Sequence, residues 1–373
     1  MRFDVSSTAL SSRLQSVSKV IASKNSLPIL DNFLFSLEGD TLTITAADAE
    51  TRLVSSVQVM NAQGSGVFAL SAKNILDPLK ELPEQPLTFD INDNNLEIFI
   101  YFQNGKYNFI GTKGDTYPQQ KPLNATAISI SLDSKTLLNG INRSLFATAD
   151  DELRPVMNGV YFDIQTDSLT FVASDGRKLV RLRNFSVKAP ERASFILPKK
   201  PANLLKTILA KDEGMVNVKF DENNAYLICE NFEMVCRLIE GRYPNYNSVI
   251  PQENPYKVTT DRLSFLAALK RVSVFSQASS LIKLQLKADE MTIFAQDIDF
   301  SISAEERIPC QYTGQDLNIG FNATYLIEIL SNISSEEIIF ELADPSRAGV
   351  IVPAENEENE DLVTLLMPMM LNE

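Results

Sequence analysis

The stretch Leu42-Thr43-Ile44-Thr45-Ala46-Ala47-Asp48 decides the fold, because the chain uses its pattern three times. The pattern returns as Leu169-Thr170-Phe171-Val172-Ala173-Ser174-Asp175 and as Met291-Thr292-Ile293-Phe294-Ala295-Gln296-Asp297, and the closing aspartates are 127 and 122 residues apart. Such an interval far exceeds the roughly 20 to 50 residues of a solenoid repeat and matches the size of a domain. The sequence therefore predicts three similar domains.

Each copy carries the same predicted elements around this strand. A polar cap and an apolar pattern at helical spacing predict two helices per copy, the first capped by Ser7, Ser134 and Asp261 and the second starting near Ser71, Pro198 and Asn322. The remaining sequence alternates apolar and polar residues between turn signals, as hairpin strands do. Two helices and about eight strands predict an α+β domain, with the helices on one face of an antiparallel sheet. We expect domains at 1–126, 127–254 and 255–373.

The composition excludes several classes of protein. The chain has 373 residues, 44% of them hydrophobic, and no histidine, which removes the usual general base and the commonest metal ligand. No phosphate-cradling glycine motif occurs, so we expect neither enzymatic activity nor a cofactor or metal. Cys229, Cys236 and Cys310 form no CxxC pair, and no export signal or membrane-spanning apolar run is visible. We therefore expect a cytoplasmic protein without a membrane partner.

Charge is distributed unevenly between the predicted helices and the remaining chain. The formal net charge is −14, yet the six helical segments together carry +9, which leaves −23 elsewhere. Because lysine and arginine drive binding to phosphates, these helices are predicted to contact the backbone of a nucleic-acid duplex without reading its sequence. The basic residues concerned are Arg13, Lys19, Lys135, Arg143, Lys199, Lys200, Lys206, Lys211, Lys270 and Arg271. The alternative is that they only keep exposed helix faces soluble.

Short motifs along the whole chain carry a resemblance to a known family. They are Leu27-Pro28-Ile29-Leu30, Arg154 with Asn158-Gly159, Ala173-Ser174-Asp175-Gly176-Arg177-Lys178-Leu179, Glu240-Gly241-Arg242-Tyr243-Pro244-Asn245-Tyr246 and Met367-Pro368-Met369. In this order the chain resembles the bacterial DNA polymerase III beta subunits, the sliding clamps. The resemblance implies the DNA clamp fold and a head-to-tail homodimer. Its six domains form a ring, with sheets outside and helices lining a hole around duplex DNA.

The resemblance also implies the function and two further DNA contacts. A clamp is a processivity factor that tethers the replicative polymerase, the clamp loader and repair polymerases through short linear motifs. Lys24 and Arg154 are similar to loop residues that touch the DNA. Pro155 and Val156 follow Arg154 here, whereas the family often has tyrosines or other bulky residues at these positions.

A hydrophobic pocket for partner peptides is implied between the second and third domains. Its matching positions are Met157, Ser174, Gly176, Arg177, Leu179, Pro244, Val249, Leu365, Met367, Pro368, Met369 and Met370. Flexible, polarizable methionines suit a pocket that accepts several peptides. Ser248 and Met370 depart from basic residues that are frequent in the family, and Asn372 and Glu373 are predicted to cover the pocket mouth in part. The alternative is that 362–366 is an ordinary closing strand and the methionines fill the core.

The dimer contact is implied between the first domain of one chain and the third domain of the other. The resemblance places Tyr107 and Phe109 against Val274 and Phe275. The alternative reading buries these four side chains within their own domains.

Two other functions compete with the clamp. In a carboxylate-based hydrolase, Asp297 and Asp299, or the recurring Asp48, Asp175 and Asp297, would hold a metal or form an acid/base pair. An aspartate that ends the same strand in every copy is more simply a turn residue. A passive scaffold is the other alternative. The acidic run 355–361 is predicted to be a solvated loop without an assigned role.

Overall fold

The three sequence copies fold into the same succession of elements. The computed structural model describes residues 1–120, 122–211, 213–276, 279–297 and 300–371. Each copy contains a strand, a helix, four strands, a second helix and three strands, and the first and third copies add short strands to this plan. The predicted α+β domain of two helices and about eight strands is therefore confirmed.

The first copy contains two helices and ten strands. They are β1 (Arg2–Ser6), α1 (Ser7–Val17), β2 (Asn32–Glu38), β3 (Thr41–Ala47), β4 (Thr51–Gln58), β5 (Met60–Gln63), β6 (Gly66–Ser71), α2 (Ala72–Lys80), β7 (Pro86–Ile91), β8 (Glu97–Phe102), β9 (Gly105–Ile110) and β10 (Thr112–Lys113). The repeated stretch from Leu42 to Ala47 lies in β3.

The second copy has the plan without additions. Its elements are β11 (Ile128–Asp133), α3 (Ser134–Ser144), β12 (Gly159–Ile164), β13 (Leu169–Ser174), β14 (Lys178–Asn184), β15 (Ala193–Pro198), α4 (Lys199–Leu209), β16 (Met215–Phe220), β17 (Asn224–Ile228) and β18 (Phe232–Arg237). The repeated sequence forms β13.

The third copy adds one short strand. Its elements are β19 (Tyr256–Asp261), α5 (Arg262–Val272), β20 (Leu281–Lys287), β21 (Glu290–Asp297), β22 (Ile302–Pro309), β23 (Gln311–Tyr312), β24 (Leu317–Asn322), α6 (Ala323–Ser331), β25 (Glu337–Leu342), β26 (Gly349–Pro353) and β27 (Glu360–Leu366). The repeated sequence forms β21.

The chain divides into two compact units, each with two sheets. The first unit comprises 1–137 and 203–238 and holds a five-stranded sheet, β5-β1-β7-β8-β9, and a nine-stranded sheet, β10-β6-β2-β3-β4-β18-β17-β16-β11. The second unit comprises 138–202 and the chain from Ile239 onward. It holds a nine-stranded sheet, β15-β12-β13-β14-β27-β26-β25-β19-β23, and a four-stranded sheet, β22-β21-β20-β24.

Both nine-stranded sheets are built from two copies of the repeat, joined in the same way. In the first unit β18, the last strand of the second copy, pairs with β4, the fourth strand of the first copy. In the second unit β27, the last strand of the third copy, pairs with β14, the fourth strand of the second copy. Both junctions are antiparallel, so one kind of strand pairing links each copy to the next.

The strands and helices bury the faces that their sequence patterns predict. In β2, Phe33, Phe35 and Leu37 are buried while the residues between them are partly exposed, which is the period of a sheet with one covered face. In the first unit α1 packs against α2 and against β3 and β4, and in the second unit α5 packs against α6 and against β21 and β22. The helices therefore cover one sheet face in each unit.

Two predicted helix caps were wrong by one residue. The first helix is capped by Ser6, whose Oγ accepts a hydrogen bond from the Ala9 amide at 3.1 Å. In the second copy Asp133 Oδ1 accepts from the Lys135 amide at 2.7 Å, while Asp261 caps α5 as predicted. Ser7 instead donates its hydroxyl to the Pro83 carbonyl. A serine next to the true cap has the same sequence signal, so the pattern did not distinguish them.

The recurring aspartates are turn residues. Asp48 Oδ1 accepts from the amides of Glu50 and Thr51 at 2.8 and 2.7 Å, and Asp175 Oδ1 accepts from the amides of Arg177 and Lys178 at 2.8 and 2.9 Å. Asp297 Oδ1 accepts from the Phe300 amide at 3.3 Å. Asp48 and Asp175 thus close the turn that follows their own strand, and Asp297 bonds the first described residue after its strand, which fits an aspartate that recurs with the repeat. Asp299, named for the hydrolase, lies outside the described residues.

Candidate functional site

The second unit contains an apolar cluster where the second and third copies pair. Leu179 on β14 lies opposite Leu365 on β27, and both are buried. The buried residues around them are Val172, Ile196, Tyr243, Tyr246 and Ala348, with Val156, Tyr161, Ile239 and Ile250 packed against the cluster. The Tyr161 and Tyr243 rings are stacked, with centroids 4.6 Å apart. This aromatic and aliphatic cluster supports the surface where the sequence places the peptide pocket.

Tyr246 is fixed within this cluster by a hydrogen bond. Its hydroxyl donates to Asp163 Oδ2 at 2.7 Å. Burial, together with this bond to a carboxylate, raises the pKa of Tyr246 to about 12. The hydroxyl therefore stays protonated at neutral pH and holds the ring in one orientation.

The turn between β13 and β14 forms one rim of the predicted pocket. Ser174 Oγ donates to the Lys178 carbonyl at 2.9 Å and accepts from the Gly176 amide at 3.1 Å. Gly176 has a φ of +88°, which favours glycine at this position. These bonds and those of Asp175 shape a rigid turn that presents Gly176 and Arg177 to solvent.

A buried cation fastens this turn to α6 of the third copy. Lys178 Nζ lies 3.1 Å from Asp175 Oδ2 and 3.1 Å from Glu328 Oε2, and 4.0 Å from the centroid of the Tyr325 ring. Arg177 donates to the Tyr325 hydroxyl at 3.3 Å. A lysine that is only 5% exposed requires such compensation. The sequence did not predict this contact, because Glu328 and Tyr325 are far from Lys178 along the chain.

The C-terminal segment that follows β27 is bonded to the β13–β14 turn and to β24. The Met367 amide donates to the Arg177 carbonyl at 2.8 Å, and the Met369 amide donates to the Gly320 carbonyl at 2.8 Å. A Cβ at Gly320 would lie 2.6 Å from the Met369 carbonyl oxygen, so only glycine permits this approach. The segment is therefore held at both ends by backbone bonds.

All twelve residues predicted for the pocket belong to the second unit. Met157, Ser174, Leu179 and Leu365 are buried, and Gly176, Arg177, Pro244, Val249, Met367 and Met370 are exposed. The alternative reading is right that 362–366 is a closing strand, since these residues lie in β27. Met367 and Met370 are nevertheless 41% and 78% exposed and therefore do not fill the core.

The departures from the family pattern have structural consequences. Ser248 donates its hydroxyl to the Asn245 carbonyl at 2.7 Å and so bonds within its own turn. Val156, after Pro155, packs against the apolar cluster of the second unit. The proposed cover by Asn372 and Glu373 lies outside the described residues.

Arg154 lies against the pocket rim. Its Nε donates to Asp151 Oδ2 at 2.8 Å, and its guanidinium lies over the turn, with Nη1 3.0 Å from the Cβ position of Gly176. The same bond lowers the pKa of the Asp151 carboxyl below its usual value. The side chain, 52% exposed, remains open to a polyanion.

In the first unit, α1 presents hydroxyl groups and cations together. Two adjoining grooves follow this helix, and one of them has a volume of about 300 Å³. Their lining includes Thr8, Ser12, Gln15, Ser16, Lys19, Lys80 and Lys211, and Arg13 in the second groove. Arg13 donates to Asn231 Oδ1 at 2.7 Å. Hydroxyls and lysines on one helical face are suited to phosphate oxygens.

Several other predicted DNA contacts have carboxylate neighbours. Lys135 lies 3.7 Å from Glu213 Oε1 in the first unit. In the second unit Lys199 lies 2.6 Å from Asp150 Oδ2, and Arg271 Nε donates to Glu306 Oε2 at 3.0 Å. Lys24, Lys200 and Lys270 are exposed, and Lys206 is half-buried.

Arg143 does not fit its predicted role. Only 8% of it is exposed, and its guanidinium bonds Glu357, donates to Ser334 Oγ at 2.8 Å and lies 3.9 Å from Glu360. A cation buried between carboxylates cannot reach a phosphate without breaking these bonds. We therefore remove Arg143 from the candidate DNA contacts.

The acidic run 355–361 gains a structural role from the same contacts. Glu357 accepts hydrogen bonds from Ser334 and Arg143, Glu360 accepts from Asn139 at 2.8 Å, and Asp361 pairs with Arg181. Within the second unit the run thus fastens β27 to α3 and β14. Residues 355–359 lie between β26 and β27 and are exposed, as a solvated loop is. The structural role of the run was not predicted, because partners far along the chain are invisible to local charge patterns.

The predicted dimer residues lie on or beside the edge strands of their sheets. Tyr107 and Phe109 are half-buried on β9, the edge strand of the five-stranded sheet. Val274 is 55% exposed and Phe275 half-buried, in a turn that contacts β22, the edge strand of the four-stranded sheet. Neither side chain pair is fully buried within its own domain.

Neither a metal centre nor a membrane-spanning helix is found in the described ranges. Their His, Cys, Asp and Glu side chains form no group of three suited to a metal ion. No described helix combines the length and apolar character needed to cross a bilayer.

Family models match nearly the entire chain. The N-terminal, central and C-terminal domain models of the DNA polymerase III beta subunit match residues 1–120, 131–245 and 247–370. The beta sliding clamp of Pseudomonas putida is 28% identical over 376 residues, with 100% of both chains covered. That of Haemophilus influenzae is 28% identical over 380 residues, again with 100% coverage of both.

Solved structures give the same result. A sliding clamp of Pseudomonas aeruginosa, solved bound to griselimycin, has a TM-score of 0.94, 26% identity and 100% coverage of both chains. The beta subunit of Thermotoga maritima has a TM-score of 0.90, 25% identity and the same coverage. Sequence, fold and repeat structure agree, and the chain belongs to the DNA polymerase III beta subunit family, the beta sliding clamps.

Proposed function

We propose that two copies of this chain close head to tail into a ring that encircles duplex DNA. One observation carries the proposal. At both junctions within the chain, the third strand after the second helix of one copy pairs with the fourth strand of the preceding copy. The corresponding strands at the two sheet edges are β9 and β22. Pairing β9 with β22 of a second chain would complete another sheet of nine strands and cover two exposed edges.

The two internal junctions also predict the register of this pairing. Arg52 lies opposite Val235 at one junction and Leu179 opposite Leu365 at the other, and the equivalent residues are Asn108 and Ser303. The same equivalence places Phe109 opposite Ile302 and Lys106 opposite Glu305. Ile302 is 41% exposed, and sequence reasoning missed it because a lone isoleucine at a strand start has no special signal.

The closed ring would act as a processivity factor of the replicative polymerase. The DNA contacts we propose are Arg13, Lys19, Lys24, Lys135, Arg154, Lys199, Lys200, Lys206, Lys211, Lys270 and Arg271, joined by Lys80 from the α1 groove. Exposed cations and hydroxyls bind the backbone weakly and without sequence preference, and the strongly acidic remainder of the chain repels polyanions. Such a ring holds DNA by topology and can slide.

Partners would dock on the surface built by the β13–β14 turn, the apolar cluster and the C-terminal segment. Met367, Met370 and Val249 are exposed and offer deformable apolar surface, and Arg177 on the β13–β14 turn adds a charge. We propose that short linear motifs of the polymerase, the clamp loader and repair polymerases bind here. The protein would have no catalytic activity of its own and would work in the cytoplasm, with domains at 1–126, 127–254 and 255–373.

Retention on closed DNA tests the proposed function. The protein, loaded onto nicked circular DNA by a clamp loader, should remain bound during gel filtration and leave when a restriction enzyme linearises the circle. The same DNA without loader serves as the control. Equal retention on circular and linear DNA would contradict encirclement, and no retention with a competent loader would favour a passive scaffold.

The dimer can be tested separately. Val274→Glu with Phe275→Glu introduces charges beside β22, and sedimentation should then show single chains, because buried unpaired charges oppose association. Exposed Leu263→Glu on α5 is a control that should leave the mass unchanged. A double variant that still sediments as a dimer would refute the proposed interface.

A further inference from the structure

The loop 150–154 of the second unit holds two candidate DNA cations with its own carboxylates. Asp150 Oδ2 lies 2.6 Å from Lys199 Nζ, and Asp151 Oδ2 lies 2.8 Å from Arg154 Nε. Lys199 is the first residue of α4, whose segment has the largest positive charge among the six helical segments. The pairs therefore lie beside the most basic helix of the chain.

The loop is rigid. The Asp151 amide donates to Asn158 Oδ1 at 2.9 Å, and Asn158 Nδ2 donates back to the Asp151 carbonyl at 3.0 Å. Asp151 Oδ1 accepts from the Leu153 amide at 2.9 Å, and the Lys199 amide donates to the Asn158 carbonyl at 3.3 Å. The carboxylates are thus held next to the start of α4 by backbone bonds.

Both pairs are accessible to solvent, so a phosphate could replace the carboxylate. The Asp150 and Lys199 side chains are 81% and 38% exposed, and the Arg154 and Asp151 side chains are 52% and 26% exposed. Exposed ion pairs are weak and exchange their partners at little cost. A phosphate that takes either cation must displace an aspartate and so gains less than it would from an unpaired cation.

We propose that Asp150 and Asp151 compete with DNA phosphates for Lys199 and Arg154 and thereby keep the clamp's hold on DNA weak. Asp150 and Asp151 pair with the two cations whenever no phosphate does. The free-energy difference between successive positions along the DNA is therefore small, and the clamp slides more easily. The inference rests on the proposed function, since it assumes that the basic helices face the duplex. The inference explains why two carboxylates lie beside cations that are proposed to bind DNA.

The test compares Asp150→Asn with Asp151→Asn as a double variant against wild type. The asparagines keep the oxygen that Leu153 needs but remove the charges. Binding to a fluorescent duplex oligonucleotide should tighten roughly two- to fivefold, because only exposed pairs are lost. The slope of log K against log salt should steepen by about one to two, since each additional phosphate contact contributes about 0.9.

Glu152 provides the matched control. It lies exposed in the same loop and forms no ion pair with any residue in the described ranges. Glu152→Gln removes a charge from the same surface. It should change the salt slope and the affinity for DNA by only a small fraction of the effect expected for the double variant. Equal effects in the control and the double variant would overturn the proposal, because net charge alone would then explain them.

A second measurement separates this inference from the proposed function. Loaded on circular DNA, the double variant should diffuse along the duplex more slowly than wild type, while both are lost on linearisation. Unchanged diffusion together with an unchanged salt slope would overturn the competition. Failure of wild type to be retained on circular DNA would instead contradict the proposed function.

Discussion

Single side chains account for much of what holds the second unit together. Buried Arg143 pairs with Glu357 and Glu360, and buried Lys178 pairs with Asp175 and Glu328. Each cation joins the second copy of the repeat to the third. A buried pair adds little net stability over an apolar pair, but loss of one partner leaves charge uncompensated. These contacts therefore specify how the two copies are joined.

Removal of Arg143 should destabilise the protein strongly. Arg143→Met leaves two carboxylates without their cation, and we expect the free energy of unfolding to fall by about 3 kcal/mol. Urea denaturation followed by circular dichroism measures the change. Arg271→Met breaks an exposed pair and should cost less than about 1 kcal/mol. Equal losses in the two variants would contradict the structural role of Arg143.

Tyr246 should make stability depend on alkaline pH. Its pKa is raised from 10.0 to about 12, so the folded chain keeps the proton that the unfolded chain loses first. This contribution is complete below pH 10 and is lost as pH rises from about 10 to about 12. Tyr246→Phe should therefore lose less stability than wild type over that interval in urea denaturation. Parallel losses in both proteins would contradict the assignment to Tyr246.

The strands and helices show what local sequence can and cannot predict. The apolar periods located the six α-helices of the described residues and the three copies of the repeated strand, because each depends on residues close together in the chain. The joining of copies into nine-stranded sheets was not foreseen, since β4 pairs with β18 and β14 with β27 across long intervals. For the same reason Arg143 was assigned to DNA although its partners lie near the C-terminus.

Gly320 on the edge strand β24 should determine where the C-terminal segment lies, because its carbonyl bonds the Met369 amide. Gly320→Val would place side-chain atoms against the Met369 carbonyl, 2.6 Å from the Cβ position, and displace the segment. Affinity for a partner peptide should fall by about tenfold or more, a loss of roughly 1.4 kcal/mol. Calorimetric titration with a polymerase-derived peptide measures it. Gly320→Ala should give a smaller loss, and an unchanged affinity in both variants would show that the segment is not part of the site.

The predicted register of β9 and β22 should be visible in a charge exchange. Lys106→Glu places two negative groups opposite each other in the dimer and should weaken association, because like charges across a strand pair repel. Adding Glu305→Lys restores opposite signs and should recover most of the affinity. Sedimentation over a dilution series measures both. If the second change fails to rescue the first, the two residues are not opposite each other.

The assembled clamp should be closable by a covalent bond. Directly opposed residues in antiparallel strands have Cα atoms about 4.5 to 5.5 Å apart, within the range of a disulfide. Asn108→Cys with Ser303→Cys should therefore yield covalently linked chains on oxidation, seen by non-reducing electrophoresis. Asn108→Cys with Ala304→Cys, displaced by one residue, should link poorly. Preferential linking of the displaced pair would contradict the register.

The division of strands into sheets of nine, nine, five and four has a thermodynamic consequence for the assembled molecule. Each chain contains two junctions between copies, β4 with β18 and β14 with β27. Because these junctions are intramolecular, their stability does not depend on protein concentration. The proposed junction between chains, β9 with β22, uses the same kind of strand pairing. Its formation nevertheless depends on protein concentration, because it joins two molecules. We therefore expect dilution to separate the two chains while each chain keeps both of its internal junctions, so a factor that opens the clamp only has to shift an association equilibrium.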